Sequence, residues 1–321
     1  MPKFSIAIPA YKTCYLSNAI SSVLNQTCKD FELIVLNDCS PEPVENIVAS
    51  FSDSRLIYMR NEFNVGMIDV VDNWNKCLSM ATGDFFLCMG DDDELENTCL
   101  AEYDRLINSY PSLNVYHGQT LVIDENGGAV FSPLTRPEFE SVYELAYYRL
   151  FGRKQYVGDF LYRTSFLKKQ GGYYKLPAAW GSDDITAIIA AKGNGIANTH
   201  RTVFKYRSNP YSISSSNNVE IKLEACGLEE KWYQSFLSDD TLCKEEDVVT
   251  RYLLKKEIGK SFQKKRLRLI ADDLMINPFH LFRWLRMSTE YNLTKSMIVY
   301  SAIVSVRDKK SLKFQTRRLK K

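Results

Sequence analysis

The chain of 321 residues is long enough to bury a sizeable core as one large domain or two modest ones. Its 45% hydrophobic and 25% charged residues exclude a disordered or fibrous chain, and no apolar run approaches the ~20 residues that cross a bilayer. The net charge of +2 conceals two basic segments: 251–268 holds eight Lys or Arg against one Glu, and 307–321 holds eight against one Asp. Each carries +7, so the remainder carries −12; an acidic body suits cations, and a basic end suits anions.

The N-terminal MPKFSIAIPAYK lacks the longer apolar core and cleavage site of a secretory signal and reads as a first strand. Residues 4–10, 31–37, 55–59 and 84–89 are short β-forming runs, and 15–26 and 43–51 between them read as helices. In 66–83, Met67, Val70, Val71, Trp74, Leu78 and Ala81 recur on one helical face, and Gly83 reads as a C-cap. Strand–helix alternation predicts an α/β fold with a mostly parallel sheet covered on both faces. Ligands of such sheets collect at the carboxyl ends of the strands. There the sequence places Pro9, Ala10 and Tyr11, then Asn37, Asp38 and Ser40, then Asn61, Asn64 and Gly66, and finally Gly90 and three aspartates.

From 113 to 216 the pattern is mixed. NVYHG and TLVID read as two strands, ENGG as a tight turn, 137–150 as a helix, and GSDDITAIIAAKGNG as a helix entered through Ser182 and Asp183. The Ser- and Asn-rich 208–218 reads as a linker, which predicts one domain over 1–217 and a helical, basic region over 218–321. The eight cysteines form no C-x-x-C pair and suggest neither a zinc site nor a disulfide framework, so a reducing cytosol is the expected compartment.

Asp91, Asp92 and Asp93, at the end of an apolar strand, suit an oxygen-ligated Mg²⁺ or Mn²⁺ that completes its shell with water and substrate phosphates. The competing reading is a helix N-terminus, with Asp93 as the cap of a helix beginning near Glu96. Asp183 and Asp184 open another helix after a glycine, where capping competes with general-base catalysis.

These motifs, in the order Pro9-Ala10-Tyr11, Asn37-Asp38-x-Ser40, Asn64-x-Gly66, NWNKCLSMATGDFFLCMGDDD, GSDD and YRSNPYSIS, resemble the family 2 glycosyltransferases over about residues 1–216. The resemblance implies the GT-A nucleotide-sugar-binding fold and an inverting transfer from a UDP-linked sugar to a hydroxyl of a glycan or lipid-linked acceptor, as in cell-surface polysaccharide synthesis. It implies that Tyr11 and the backbone after Pro9 and Ala10 line the base pocket, with Tyr11 stacked on the base. Asp38 would accept a hydrogen bond from uracil, and Asn64 would lie beside the nucleotide. The family's Asp-x-Asp motif here reads Gly90-Asp91-Asp92. Asp92 thus keeps the metal and diphosphate role, and Asp91 stands next to the missing first carboxylate. Asp183 and Asp184 match the pair at a helix start, with Asp184 as the expected base. Relatives often carry a His shortly after the Tyr-Arg, where this chain has Asn209. Arg207 is expected either at the diphosphate or solvated at a strand end, Gly171-Gly172-Tyr173 at a turn on the acceptor side, and Trp180 on a sugar face or in the core.

The region 218–321 lies outside the resemblance. Its mixture of aromatic, aliphatic and basic residues suits peripheral contact with an anionic membrane on its inner face, against a solvated or partner-binding helix. Nucleic acid is not an expected partner, because the acidic body repels phosphate. Two other functions compete: a nucleotidyltransferase acting on sugar phosphates, disfavoured by the absence of a Gly-rich basic loop after the first strand, and a non-catalytic sugar-nucleotide-binding protein.

Overall fold

The structure, a computed structural model, describes residues 1–66, 69–208, 218–241 and 243–319, the last ten as helix backbone. Met67, Asn209 and nearly all of the expected linker lie outside the described residues. The chain divides into two compact units.

The first unit, from Met1 to Lys175 with two later segments, is built on one sheet. Its opening half is β1 (Phe4–Ala10), α1 (Leu16–Leu24), β2 (Phe31–Asn37), α2 (Val44–Ala49), β3 (Leu56–Arg60), α3 (Val70–Met80) and β4 (Phe85–Cys88). All seven residues of β2 and six of the seven in β1 are buried, as expected of parallel strands covered on both faces. In α1, Leu16, Ala19, Ile20 and Val23 are buried at helical spacing, and this stripe fixes how the helix lies on the sheet. The sheet order is β3-β2-β1-β4, all parallel, so the chain reverses its direction of winding between β1 and β4. Register places Ala10 beside Asn37 and Ala7 beside Cys88, which aligns the strands' carboxyl ends along one crevice.

Beyond β4 the sheet becomes mixed. The elements are β5 (Glu94–Leu95), α4 (Cys99–Ser109), β6 (Val115–Ile123), β7 (Ala129–Phe131), β8 (Phe139–Glu140), α5 (Val142–Leu150), β9 (Phe160–Arg163), α6 (Thr164–Lys169), α7 (Ser182–Ala191) and β10 (Ile196–Arg207). β9 runs antiparallel between β4 and β6, and β10 runs parallel to β6 and antiparallel to β5. The parallel character expected of the sheet thus holds throughout its first half and, in the second, for the β6–β10 pair.

Three local expectations change. NVYHG and TLVID form the single strand β6. Gly118 does not break it but lets its neighbours close in, since a Cβ there would lie 2.4 Å from Val203 Cγ2 and 2.7 Å from the Tyr103 hydroxyl. Gly83 is not a helix cap. α3 ends at Met80 with Ala81 extended, and Gly83 instead packs against β1, its N–H donating to Ser5 Oγ at 2.8 Å. The helix after the aspartates begins at Cys99 rather than near Glu96.

The second unit holds most of α8 to α11, namely α8 (Val219–Ser238), α9 (Val248–Ile276), α10 (His280–Arg286) and α11 (Lys295–Leu319). Leu223, Leu269, Ile270, Leu274, Trp284, Leu293 and Ile298 form its core. The one polar group of the buried Trp284 is satisfied, its Nε1 donating to Asp273 at 2.7 Å. Among the described residues no helix is long and apolar enough to cross a membrane.

Candidate active site

At the crevice, the backbone of Tyr11 ties three loops together. Asp91 Oδ2 accepts the backbone N–H groups of Tyr11 and Lys12, each at 2.7 Å, which joins the loop after β1 to the loop after β4. The Tyr11 carbonyl accepts from Ser40 Oγ at 2.5 Å, which joins it to the loop after β2. The Tyr11 ring, 40% exposed, stands in solvent on this anchored backbone.

Asp38 is buried and ties the loop after β2 to the loop after β3. One carboxylate oxygen accepts from Asn61 Nδ2 at 2.7 Å and Val65 N at 2.8 Å; the other accepts from Gly66 N at 2.8 Å. A carboxylate offers about four acceptor positions, so Asp38 spends most of its capacity on positioning this loop. Asn64 lies in the same loop, its Oδ1 3.8 Å from where a Gly66 Cβ would sit. Gly66 is required there, because that Cβ would be 2.8 Å from Asp38 Oδ2.

The three aspartates point to different tasks. Asp91 is half-buried and burial pushes it up to about 6, even with its two backbone donors. Asp93 is buried and caps no helix: it accepts from Gly90 N at 3.3 Å and Arg207 N at 2.9 Å. Burial, and then the charge on Asp92, holds it well above the usual carboxylate range. Asp92 is partly exposed. A Cβ on Gly90 would lie 2.8 Å from Asp92 Oδ1 and 2.9 Å from Asp93 Oδ2, so an acidic side chain at this position would displace both carboxylates.

Arg207, at the end of β10, is neither solvated nor open toward a ligand. It is 2% exposed, and its Nε donates to the Asp92 carbonyl at 2.8 Å, its Nη1 to the Asp124 carbonyl at 3.0 Å, and its Nη2 to the Glu94 carboxylate. Its guanidinium also lies over the Tyr15 ring at 4.3 Å. The arginine therefore acts as the clamp of the aspartate loop.

Asp183 and Asp184 open α7 with opposite exposures. Asp184, the expected base, is 1% exposed, and its Oδ1 accepts from Arg149 Nε and from Gln155 Nε2, both at 2.7 Å. Asp183 is the partly exposed member; burial, and then the charge on Asp184, pushes it up to about 8. Arg149 and Gln155 escape sequence reasoning, since they lie about 30 residues upstream in no recognisable motif. The Gly171-Gly172-Tyr173 turn is structural: both glycines have positive φ, and Tyr173 N donates to Asn75 Oδ1 at 2.8 Å. Within the second unit, Trp180 carries the Lys222 ammonium 4.5 Å from its ring centre. His117 is buried 3.5 Å from Asp159, and burial holds it well below the usual imidazole range.

Residues 5–163 match the model of glycosyl transferase family 2. Over 105 residues, 32% of the chain, the protein is 34% identical to a GalNAc(5)-diNAcBac-PP-undecaprenol beta-1,3-glucosyltransferase of Campylobacter jejuni, covering 33% of that protein. Over 136 residues, 40% of the chain, it is 32% identical to a PGL/p-HBAD biosynthesis glycosyltransferase of Mycobacterium bovis, covering 52% of that protein. The chain thus spans a third to about half the length of these curated relatives. Residues 1–349 of S. aureus TarS, solved in complex with UDP-GlcNAc, share the fold with a TM-score of 0.64 at 17% identity, over 98% of this chain and 92% of that one. Ordered motifs, a winding reversal that gathers them and the match over residues 5–163 agree: the chain belongs to glycosyl transferase family 2, with the GT-A fold.

Proposed function

We propose that the protein transfers a sugar from a UDP-sugar to a hydroxyl of a glycan or lipid-linked saccharide, with inversion at the anomeric carbon. The observation that carries this reading is the Tyr11–Asp91 connection, which fixes an exposed aromatic ring beside the acidic loop at the winding reversal of the sheet. An aromatic face for a base next to carboxylates for a cation-bound diphosphate is what a nucleotide sugar requires. The UDP-GlcNAc complex of TarS and the undecaprenol-linked substrate in the Campylobacter relative's name support the donor and acceptor classes. The unpaired cysteines support a cytosolic setting.

The residues fit a hard divalent cation of one kind. Asp91 and Asp93 are turned toward backbone N–H groups, and among the described residues no group of three or more His, Cys, Asp or Glu is arranged as a metal cage. Asp92, partly exposed at the carboxyl end of the sheet, is the side chain that would hold Mg²⁺ or Mn²⁺, an ion that keeps water and phosphate oxygens in its shell. Such an ion supplies positive charge against the leaving diphosphate. The chain's own residues do the rest. Tyr11 would stack on the base, the Pro9 and Ala10 backbone and Asn64 would flank the nucleotide, and Asp38 would offer its remaining acceptor position. As the acceptor oxygen bonds to the anomeric carbon, the bond to the diphosphate breaks and UDP departs. The acceptor proton passes to the Asp183–Asp184 pair. Exposure favours Asp183 as the group that touches the hydroxyl, with Asp184 and Arg149 positioning it.

Thermal shift with UDP and UDP-sugars, with and without Mn²⁺, tests the donor site, and product analysis with lipid-linked saccharides tests transfer. Metal-dependent stabilisation by UDP is expected in the native chain. Asp92→Ala should remove it and lower turnover roughly 10³-fold. Release of pyrophosphate instead of UDP would replace this reading with nucleotidyl transfer.

A further inference from the structure

The second unit exposes apolar side chains where its own fold would have allowed polar ones. In α11, Ile298 and Val304 face the core together with Ser301 and Ser305, which are 0% and 5% exposed. The buried hydroxyls are satisfied within the unit: Ser301 Oγ lies 2.9 Å from the Met297 carbonyl and Ser305 Oγ 2.7 Å from the Ala302 carbonyl. The bond from Ser301 Oγ to the Leu267 carbonyl of α9, 3.1 Å away, and the two buried aliphatics fix the helix's rotation, and that rotation turns Val299, Ile303 and Val306 outward, each more than half exposed. Two serines thus lie inside while three branched aliphatics stand outside, an arrangement that a helix whose outer face meets only water does not call for.

A second patch lies where α9 passes into α10. Trp284 fills the core, while Phe279 is 80% exposed and Phe282 72% exposed, three positions apart. The charged side chains of α10 are Arg283, which is paired with Glu220, and Arg286, and no acidic residue lies between 274 and 289 in the chain. Exposed apolar groups gathered in this way mark an interaction surface.

We infer that these two patches form a peripheral docking surface for an anionic lipid bilayer. Charge selects this occupant over a second copy of the chain. Residues 295–321 hold nine Lys or Arg against one Asp, so a self-complementary pairing of α11 would set like charges together, whereas anionic headgroups neutralise them. Each Lys or Arg near such a surface strengthens binding about fivefold, and the aliphatic and aromatic side chains enter the headgroup boundary. The surface stands independently of the sugar chemistry, since none of its residues belongs to the crevice.

Cosedimentation of the full chain with vesicles tests it without requiring turnover, and UDP binding measured on the same samples reports separately on the donor site. The expected result is binding to vesicles with 30% phosphatidylglycerol and about tenfold weaker binding to pure phosphatidylcholine. Raising the salt to 0.5 M should weaken binding by a similar factor. The variants Phe279→Ser/Phe282→Ser and Val299→Ser/Ile303→Ser, with unchanged circular dichroism and UDP binding, should each bind anionic vesicles at least fivefold more weakly. Three results would overturn the inference: no vesicle binding, binding that neither double variant alters, or a dimer in sedimentation equilibrium that Val299→Ser/Ile303→Ser dissociates. If either double variant misfolds, Phe282→Tyr and Ile303→Thr carry the same test with smaller changes.

Discussion

The Asp183–Asp184 pair shows what one residue's environment adds to its identity. The two side chains are adjacent and chemically identical, yet Asp184 is buried against Arg149 and Gln155, whereas Asp183 remains partly exposed. As the proposed base, Asp183 with its raised pKa would be the stronger base and would have to lose its proton before acting. The value of kcat/KM should therefore rise with pH toward about 8 and level off beyond it. Asp183→Asn should lower turnover by roughly 10²–10⁴-fold with donor binding and melting temperature preserved. Asp184→Asn should instead lower the melting temperature, because a guanidinium loses its ionic partner. If Asp184→Asn abolished turnover in a fully stable protein while Asp183→Asn stayed active, the roles would be exchanged. Both aspartates are legible in sequence as a helix entry with catalytic promise. Which one meets substrate is not, because Arg149 comes from a helix 35 residues away.

At the scale of elements, the alternation of short apolar runs and amphipathic helices made β1 to β4 legible, since a strand buried on both faces and a helix buried on one leave different periods in the sequence. The second half was less legible. β9 enters between β4 and β6 with no local mark of its direction, and Gly118 reads as a break because glycine usually is one, although here it serves the close approach of β10 and α4. The clamp on the aspartate loop is an element-scale device as well. β10 ends at Arg207, and that one side chain holds the loop after β4 through Asp92 and Glu94 and ties it to the backbone at Asp124, just after β6. Arg207→Ala should cost about 3 kcal/mol in chemical denaturation, since Glu94 and the Asp92, Asp124 and Glu125 carbonyls lose the bonds it donates. Metal-dependent UDP binding should weaken with it, as the loop that presents Asp92 loosens. Full UDP binding in a destabilised variant would show that the clamp serves the fold alone.

For the molecule as a whole, buried carboxylates predict how stability depends on pH. Burial pushes Asp159 up to about 7 and Asp183 up to about 8, from an ordinary 3.8. A carboxyl whose pKa is raised on folding contributes stability that is fully present below the unfolded value, near 4. The contribution falls as pH rises through the folded value. His117 acts in the opposite sense: buried and neutral, it costs stability only as pH falls below its ordinary 6.5. The window from 6.5 to 8 therefore isolates the carboxylates. The melting temperature of the unliganded protein should fall across it, and Asp183→Asn should flatten the part between 7 and 8. A melting temperature that is level or rising there would mean that these groups are ionised in the folded state.

The sequence by itself determined the α/β class, the order of the motifs and the family, because these depend on residue type and spacing along the chain. It also displayed a basic C-terminal end and raised the expectation of a cation at the aspartates, since runs of like charge are visible in one dimension. Only the tertiary structure decided that Asp91 anchors Tyr11, that Asp93 and Arg207 are structural, and that α11 turns Ser301 and Ser305 inward and Val299, Ile303 and Val306 out. The physical reason is common to all three. A side chain's task follows from its burial and from the donors it meets, and those donors lie up to 114 residues away in the chain.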